Sequence, residues 1–285
     1  MKKGAYDLEA KPESSQQSVP KITKIETQKR KGRYNVYLDG EYAFPVGEGV
    51  LIRHALYKGM EISKELQQQL ETEDVYSKAY SRALDYLSHQ LRSEKEIRDD
   101  LRKHEFPFEA VEKVLAQLKE MNYVDDLMYA ESYTRTAANL SGKGPYAIRQ
   151  ELKKRGVKET DIEQALLEYP IEQRIENGIQ LAEKAIRRAK NQSSRETENK
   201  VRQHLAQKGF NGDEITEVMH QLAIEKDEDE EYEALKIQGE KIWRKQAKLV
   251  GRAKIQKVKS ALYQKGFPGD LINRFINDKE MDEEV

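Results

Sequence analysis

Residues 97–115, IRDDLRKHEFPFEAVEKVL, carry an apolar pattern that returns three times further along the chain. Its five apolar positions stand at steps of four, five, five and four residues, beginning at Ile97. The same steps begin again at Ile148, Val201 and Val258, so the starts are 51, 53 and 57 residues apart. Self-similarity at this spacing indicates a repeated supersecondary unit. The sequence therefore predicts four tandem copies of one unit.

The steps within one copy predict a helix, a tight turn and a second helix. An apolar residue and its neighbour four positions on share one helical face. Eight residues after the first apolar position, three copies have a glycine where a helix would end in a left-handed residue. These glycines are Gly156, Gly209 and Gly266. The first copy has Glu105 instead, which predicts a looser or differently shaped turn. The N-caps expected for the following helices are Thr160, Asp213 and Asp270.

Another helical stripe precedes these pairs, so we expect three helices in each unit. The stripe is clearest at 79–87 and 175–189, where apolar residues recur with a helical period. Cap motifs mark the starts of the second helices. They are Ser93 with Glu96, Ser193 with Glu196, and Gly144 with Pro145.

Composition favours several small cores over one large core. Only 37% of the 285 residues are hydrophobic and 35% are charged, against roughly 25% charged in an average soluble protein. Lys and Arg total 50 and Asp and Glu total 51, so only local charge can indicate a partner. There is no cysteine, no secretory h-region and no apolar run long enough to cross a membrane. We therefore expect a cytoplasmic protein without membrane contact.

The N-terminal part predicts a small sheet. Residues 22–46 are rich in β-branched and aromatic residues, and Asp39-Gly40 is a strong signal for a two-residue hairpin. That hairpin would place Tyr37 opposite Tyr42. We interpret the segment as a three-stranded meander with one face packed on an apolar cluster, followed by a short polar helix at 61–70. The cluster is Val50, Leu51 and Leu56.

A second interpretation of the meander is a stacking platform for single-stranded nucleic acid. Aromatic strands lie next to a basic turn, which is the combination that such platforms use. The cations of that turn are Lys29, Arg30, Lys31 and Arg33.

The predicted fold is mainly α: four tandem three-helix repeats form an elongated crescent behind a small antiparallel β meander. The expected divisions are a disordered tail at 1–20, the meander with short helices at 21–70, repeat 1 at 71–125, repeat 2 at 126–170, repeat 3 at 171–224, an acidic linker at 225–233, repeat 4 at 234–278 and an acidic tail at 279–285.

Catalytic and metal-binding patterns are missing from the sequence. The five histidines form neither an HExxH motif nor another ligand cluster. The acidic pairs Asp99-Asp100 and Asp125-Asp126 are adjacent, so on a helix their side chains point about 100° apart. The run SGKGP at 141–145 lacks the spacing of a phosphate loop. We predict no enzyme activity, no cofactor and no metal.

Basic residues recur in register with the repeat. One residue after the first apolar position stand Arg98, Arg149, Arg202 and Lys259. Cations are disfavoured in the first turns of a helix by its dipole, so helix stability does not explain them. An acid four residues earlier offers an ion pair in the first and third copies. The second and fourth copies have no such acid, which leaves their cations for a partner. Together with neighbouring cations, the predicted partner-binding residues are Arg98, Arg102, Arg149, Lys153, Lys154, Arg202, Lys245, Lys248, Arg252 and Lys259.

Four stretches together resemble the bacterial RecX family. They are ALDYLSHQLRSEKEIRDDL from Ala83, NYVDDLMYA from Asn122, SGKGP from Ser141 and AIRQELKKRGVKETDIEQAL from Ala147. Their order and spacing also match, over about 79–276. The resemblance implies a non-catalytic cytoplasmic modulator that binds RecA filaments on DNA and restrains ATP hydrolysis, recombination, DNA repair and the SOS response. Compact members of the family have three repeats, so the fourth repeat and the β-rich front are departures.

Two other functions remain open at this stage. Three-helix units resemble helix-turn-helix modules, so the chain could be a free-standing DNA- or RNA-binding protein. It could also be a structural adaptor whose cations serve solubility. As partners we expect the RecA filament on DNA, with direct contact to single- or double-stranded DNA as an addition, and we expect a monomer.

Overall fold

The computed structural model describes residues 19–222, 224 and 226–284. It divides the chain into two compact units. The first comprises Met1–Leu91 and Ile97–Tyr123, and the second comprises Arg92–Glu96 and Val124–Val285. The tail expected at 1–20 lies outside the described residues except for its last two.

Three antiparallel strands form the meander predicted for residues 22–46. In sequence order they are β1 (Ile22–Thr27), β2 (Arg33–Leu38) and β3 (Glu41–Gly47). Asp39 and Gly40 make the two-residue turn with positive φ angles of 51° and 95°, as this hairpin requires. Tyr37 lies opposite Tyr42, with their ring centroids 5.9 Å apart in an edge-to-face arrangement. The meander and its aromatic pair are confirmed.

One face of the sheet is buried against two helices, α1 (Glu48–Arg53) and α2 (Lys64–His89). The buried core residues are Ile22, Val36, Phe44, Val46, Val50, Leu56, Ile62 and Leu70. The short helix expected at 61–70 is wrong as a separate element. Its residues from Lys64 onward belong to α2, which continues without a break into the first helix of repeat 1.

A buried ion pair ties the meander to α2. Asp74 is only 2% exposed. It accepts hydrogen bonds from both terminal guanidinium nitrogens of Arg33, at 2.5 and 2.9 Å, and from the backbone N–H of Gly47 at 2.7 Å. Burial by itself raises the pKa of the Asp74 carboxyl, but hydrogen bonds from Arg33 and Lys78 outweigh it and hold this pKa below its usual value. Arg33 is thereby withdrawn from the basic turn of the alternative stacking platform.

Each repeat consists of three α-helices, as predicted. Repeat 1 is α2, α3 (Glu94–Lys103) and α4 (Phe108–Glu120); repeat 2 is α5 (Asp126–Thr136), α6 (Pro145–Lys154) and α7 (Glu159–Leu166); repeat 3 is α8 (Ile171–Arg188), α9 (Ser194–Lys208) and α10 (Gly212–Gln221); repeat 4 is α11 (Glu228–Lys245), α12 (Gly251–Gln264) and α13 (Gly269–Glu284). A π-helical turn, Ala137–Ser141, follows α5. Residues 228–233 of the expected acidic linker form the first turns of α11, and residues 279–284 form the end of α13.

The repeated apolar positions form the cores of the four repeats. All are buried except Phe106 and Met219, which are partly buried. In repeat 2, for example, Ile148, Leu152 and Ile162 have no exposed surface. The apolar steps therefore predicted the interior of each repeat correctly.

The expected N-caps of the third helices are wrong. Thr160, Asp213 and Asp270 lie inside the first turns of α7, α10 and α13. The cap of α10 is Asn211, whose side chain accepts from the backbone N–H of Glu214 at 2.8 Å. Carboxylates in the first turn are favoured by the helix dipole, which also enriches acids one or two residues beyond the true cap.

Serine hydroxyls connect successive repeats within the second unit. Ser93, at the start of α3, donates from Oγ to the carbonyl of Arg155 in the turn after α6, at 2.7 Å. Ser193, at the start of α9, donates to the carbonyl of Lys265 in the turn after α12, at 2.5 Å. Both serines are completely buried. Each also caps its own helix by accepting a backbone N–H three residues on, so one hydroxyl serves two purposes.

The joint between repeats 2 and 3 uses the backbone in place of a serine. Gly144, the cap of α6, donates its N–H to the carbonyl of Lys208 at 2.8 Å, and Tyr146 donates to Gly209 at 3.0 Å. In all three joints the start of a second helix lies against the turn that ends the second helix of the next repeat. We call this contact the inter-repeat joint.

The joint explains the turn glycines more fully than helix termination does. Gly209 has a left-handed φ of 92°. A Cβ at this position would also lie 2.4 Å from the backbone nitrogen of Ala147, closer than any side chain tolerates. A Cβ at Gly156 would likewise lie 2.6 Å from the Cβ of Lys95. Glycine is therefore required both by the turn and by the neighbouring repeat.

The expectation of a different turn at Glu105 is wrong. Glu105 adopts a left-handed φ of 60°, and Phe106 donates to the carbonyl of Leu101 at 3.3 Å. Phe210 makes the equivalent bond to Leu205 at 3.1 Å in repeat 3. Repeat 1 is the first of the array, so no earlier helix start needs the room that glycine provides. An exposed glutamate is tolerated at the modest cost of its left-handed backbone.

We expect Asp74→Asn to lower the free energy of unfolding by about 3 kcal/mol at pH 7, because it leaves the largely buried Arg33 without its counter-ion. The folded-state pKa of Asp74 lies below its unfolded value, so this stability is present above about pH 4 and is lost as the pH falls further. Urea denaturation of the unchanged protein and of Asp74→Asn should give a smaller difference in the free energy of unfolding at pH 3 than at pH 7. A difference that stays constant would contradict the ionic role, and the exposed Asp85→Asn is the control.

Replacing Gly209 by Ala should lower the free energy of unfolding by about 2–4 kcal/mol, through backbone strain and the clash with Ala147. Glu105→Gly, in the same kind of turn, should change it by less than about 1 kcal/mol. Urea titrations followed by circular dichroism compare the two variants. Equal losses in the free energy of unfolding for Gly209→Ala and Glu105→Gly would show that the joint does not require glycine.

Candidate partner-binding surface

The in-register cations all lie on second helices, one residue from a buried apolar position. Arg98, Arg149, Arg202 and Lys259 belong to α3, α6, α9 and α12 respectively. Each follows a fully buried Ile or Val, so its side chain emerges at the edge of a core. What differs between the repeats is whether the charge has a partner within the chain.

In repeat 1 the cation is held across the pair of helices. Arg98 donates from Nε and Nη2 to the two carboxylate oxygens of Glu112 on α4, at 2.9 and 3.2 Å. Arg102, one turn further along α3, lies over the ring of Phe108, with 6.0 Å between the guanidinium carbon and the ring centroid. Both predicted binding residues of this repeat thus contact α4.

In repeat 2 the expectation of an unpaired cation is wrong. Arg149 pairs with Glu159 and lies 3.7 Å from Glu163, both on α7. Lys153 also pairs with Glu159, at 2.8 Å. No acid stands one turn earlier on α6, but α7 packs against α6 and supplies both acids from another helix. Lys154 is exposed.

In repeat 3 the cation pairs with the acid that the sequence places four residues earlier. Arg202 donates from Nε to Glu198 at 3.0 Å, one turn earlier on α9. This is an exposed pair on a single helix, and such pairs stabilise a helix by only about 0.3–0.5 kcal/mol.

In repeat 4 the predicted binding residues make no ion pair with the described residues. Lys259 has no acidic partner among the described residues, and the same holds for Lys245, Lys248 and Arg252. Residues 241–269 contain no Asp or Glu at all. This repeat therefore presents unneutralised positive charge.

One position on the third helix contributes to the difference. It lies fifteen residues after the first apolar position and is Glu112, Glu163, Thr216 and Asn273 in the four repeats. The acids in repeats 1 and 2 reach the cation of the second helix across the groove between the helices. Threonine and asparagine carry no charge, so repeats 3 and 4 lack this neutralising contact.

Carboxylates that could have suggested catalysis have structural roles. Asp100 accepts two hydrogen bonds from Arg82, both 2.8 Å long, and these lower its pKa. Asp125 caps α5, and Asp126 accepts from the backbone N–H of Glu94. Within 19–222, 224 and 226–284, no group of three or more His, Cys, Asp or Glu residues is arranged to hold a metal ion. No helix there is long and apolar enough to cross a membrane.

The lysine of the SGKGP run is also engaged. Lys143 contacts the carboxylate of Glu151 at 2.5 Å, between the π-helical turn and α6. Gly142 has a left-handed φ of 57°, and Gly144 is the cap of α6 within the inter-repeat joint. The run therefore shapes the start of a helix.

One functional contact was missed by the sequence reasoning. Arg155, at the end of α6 where the helix dipole favours a cation, donates to Glu96 at 3.0 Å and to the hydroxyl of Tyr129 at 2.7 Å. Burial, with a contribution from the charge of Glu96, raises the pKa of Tyr129 to about 12. Arg155 thus reinforces the joint that Ser93 makes within the second unit, and no local signal distinguishes it from an ordinary helix-end arginine.

Protein-family models match nearly every part of the described chain. The description "Regulatory protein RecX N-terminal domain" applies to residues 20–63. Models of the first and second RecX three-helix domains match 79–118 and 125–166. The model of the third three-helix domain matches twice, at 172–219 and 228–276. The fourth repeat is thus similar to the third domain of that family.

Relatives and solved structures agree with these matches. A protein of Levilactobacillus brevis named "Regulatory protein RecX" is 47% identical over 257 residues, which cover 90% of this chain and 97% of the relative. Its counterpart in Limosilactobacillus reuteri is 42% identical over 260 residues, or 91% and 98% of the two chains. The structure titled "Crystal structure of regulatory protein RecX" superposes with a TM-score of 0.61 at 46% identity, covering 71% of this chain and all of that one. A second, "Crystal structure of RecX from Lactobacillus salivarius", gives a TM-score of 0.51 at 39% identity, covering 53% and 97%.

Proposed function

This chain belongs to the RecX family of regulatory proteins, and from that premise we propose that it binds RecA filaments on DNA and restrains their activity. The effect would extend to ATP hydrolysis, strand exchange, DNA repair and the SOS response. As the regulator of a cytoplasmic recombinase, the protein would act in the cytoplasm, and it would do so as a monomer.

The observation that carries the proposal is the cation placed at one equivalent position in every repeat. Each cation follows the first buried apolar residue of its second helix, so the position recurs with the repeated unit. A filament presents the same surface again with each subunit, so a series of equivalent contacts suits it better than a single pocket would. Positive charge at those contacts favours an anionic surface and speeds encounter with it.

The ion pairs of repeats 1 to 3 are compatible with this role. The side chain of Arg149 is 31% exposed and that of Glu159 is 41% exposed. Partly exposed pairs contribute roughly 0–1 kcal/mol, so an arginine can exchange its internal acid for an external one at little cost. The internal acid keeps the guanidinium oriented until a partner arrives.

Regulation by occupancy requires no chemistry from this chain. The aspartates described above neutralise arginines or cap helices, and Lys143 is held by Glu151. We therefore propose a non-catalytic mechanism in which the bound protein restricts growth and turnover of the filament.

The proposal is tested by ATP hydrolysis of RecA filaments on single-stranded DNA, titrated with this protein. The protein should inhibit hydrolysis, and Arg149→Ala combined with Lys153→Ala should raise the half-inhibitory concentration about tenfold, since two charge-assisted contacts are lost. Glu159→Gln should act in the opposite direction, because it releases both cations from their internal partner.

The control removes two exposed cations from a first helix, Lys184→Ala with Arg187→Ala on α8. It has the same net charge as the test variant and should inhibit like the unchanged protein. Absence of inhibition by the unchanged protein would contradict the proposed function. Inhibition that is equal in all variants would leave the function standing and reject the assigned surface.

A further inference from the structure

Repeat 4 has an open groove between its second and third helices, α12 and α13. In repeat 1, and likewise in repeat 2, ion pairs cross the equivalent groove from the second helix to the third. The groove has a volume of about 590 Å³. Ile255 and Ile272 contribute apolar lining. Its polar and aromatic lining consists of Arg252, Gln256, Lys259, Ser260, Tyr263 and Asn273. Positive charge, amides and an aromatic ring thus meet above an apolar surface.

The lining residues of α12 form one continuous stripe. Arg252, Gln256, Lys259 and Tyr263 follow one another at steps of four, three and four residues, which keeps them on one face of the helix. At 1.5 Å per residue the stripe is about 16 Å long. Tyr263 is 67% exposed, so its ring is accessible to a ligand.

The charge of this stripe is not neutralised. Arg252 and Lys259 make no ion pair with any described residue. The position that holds Glu112 and Glu163 in repeats 1 and 2 is Asn273 here, an uncharged donor and acceptor. Where repeats 1 and 2 neutralise the groove internally, repeat 4 leaves it open for an external anion.

We propose that the α12–α13 groove of repeat 4 binds a single-stranded nucleic acid, with its phosphates on Arg252 and Lys259 and a base stacked on Tyr263.

Three features favour a single strand over other anions. An exposed aromatic ring contributes to binding only when base faces are available, and in a duplex they are stacked on one another. An acidic peptide would be attracted by the cations but would make no comparable use of the ring. The amides of Gln256 and Asn273 can donate to phosphate oxygens as well as to base edges.

Fluorescence anisotropy of a labelled 15-nucleotide oligothymidine, titrated with the full chain in the absence of recombinase, tests the proposal. The logarithm of the binding constant should fall linearly with the logarithm of salt concentration. Arg252→Ala and Lys259→Ala should each make that slope shallower by about 0.7, the contribution of one phosphate contact on a single strand. Tyr263→Ala should weaken binding about tenfold without changing the slope, and Tyr263→Phe should restore it.

Lys257→Ala is the matched control. It removes the same charge from the same helix, but Lys257 is exposed about 130° around the helix from the stripe and is also free of ion pairs among the described residues. The affinity of Lys257→Ala for the oligothymidine should stay within about twofold of that of the unchanged protein. All of these side chains are exposed, so circular dichroism melts should coincide.

Three results would overturn the proposal: no binding of the oligothymidine, equal losses for Lys257→Ala and Lys259→Ala, or full affinity in Tyr263→Ala. Preferential binding of a 15-base-pair duplex or of a polyglutamate peptide would also overturn it and identify the other class of partner. Because no recombinase is present, each outcome is independent of the proposed action on RecA filaments.

Discussion

The inter-repeat joint is the contact on which the array of repeats depends. Its hydrogen bonds run from the start of one second helix to the last carbonyls of the next, groups that a helix leaves without internal partners. Ser93 and Ser193 satisfy two needs with one hydroxyl, since each caps its own helix and donates to the neighbouring turn. These hydrogen bonds give partners to serine hydroxyls and helix-end carbonyls that would otherwise need water, so these groups can be buried where the repeats meet.

The same contact determines which residues the turns can accept. Gly156 and Gly209 face another repeat, where a Cβ would collide with Lys95 or Ala147. Glu105 occupies the same left-handed conformation but receives no earlier repeat. The exception in the sequence therefore marks the first repeat of the array. A residue that breaks a repeated pattern is informative when the neighbour that enforced the pattern is missing.

Much of the fold could be predicted because burial follows a short-range period. The apolar steps identified the core residues of each repeat, and Asp39-Gly40 identified the hairpin and the pairing of Tyr37 with Tyr42. Charged contacts could not be predicted in the same way. Arg149 has no acid one turn earlier, yet α7 brings Glu159 to it. A rule limited to one helix detects partners three or four residues apart, and it does not detect those that a turn and a second helix deliver.

The four repeats share one framework but differ in how they treat a single cation. The second-helix position is always basic, and part of the distinction comes from the third helix, where Glu112 and Glu163 give way to Thr216 and Asn273. A partly exposed acid at that position contributes little stability, which means that its loss costs the fold almost nothing. Its loss does change the field of the groove from neutral to positive. Repeats built on one core can therefore diverge in ligand while keeping the joint that holds them together, and the cheapest place for that divergence is a surface acid outside both the core and the joint.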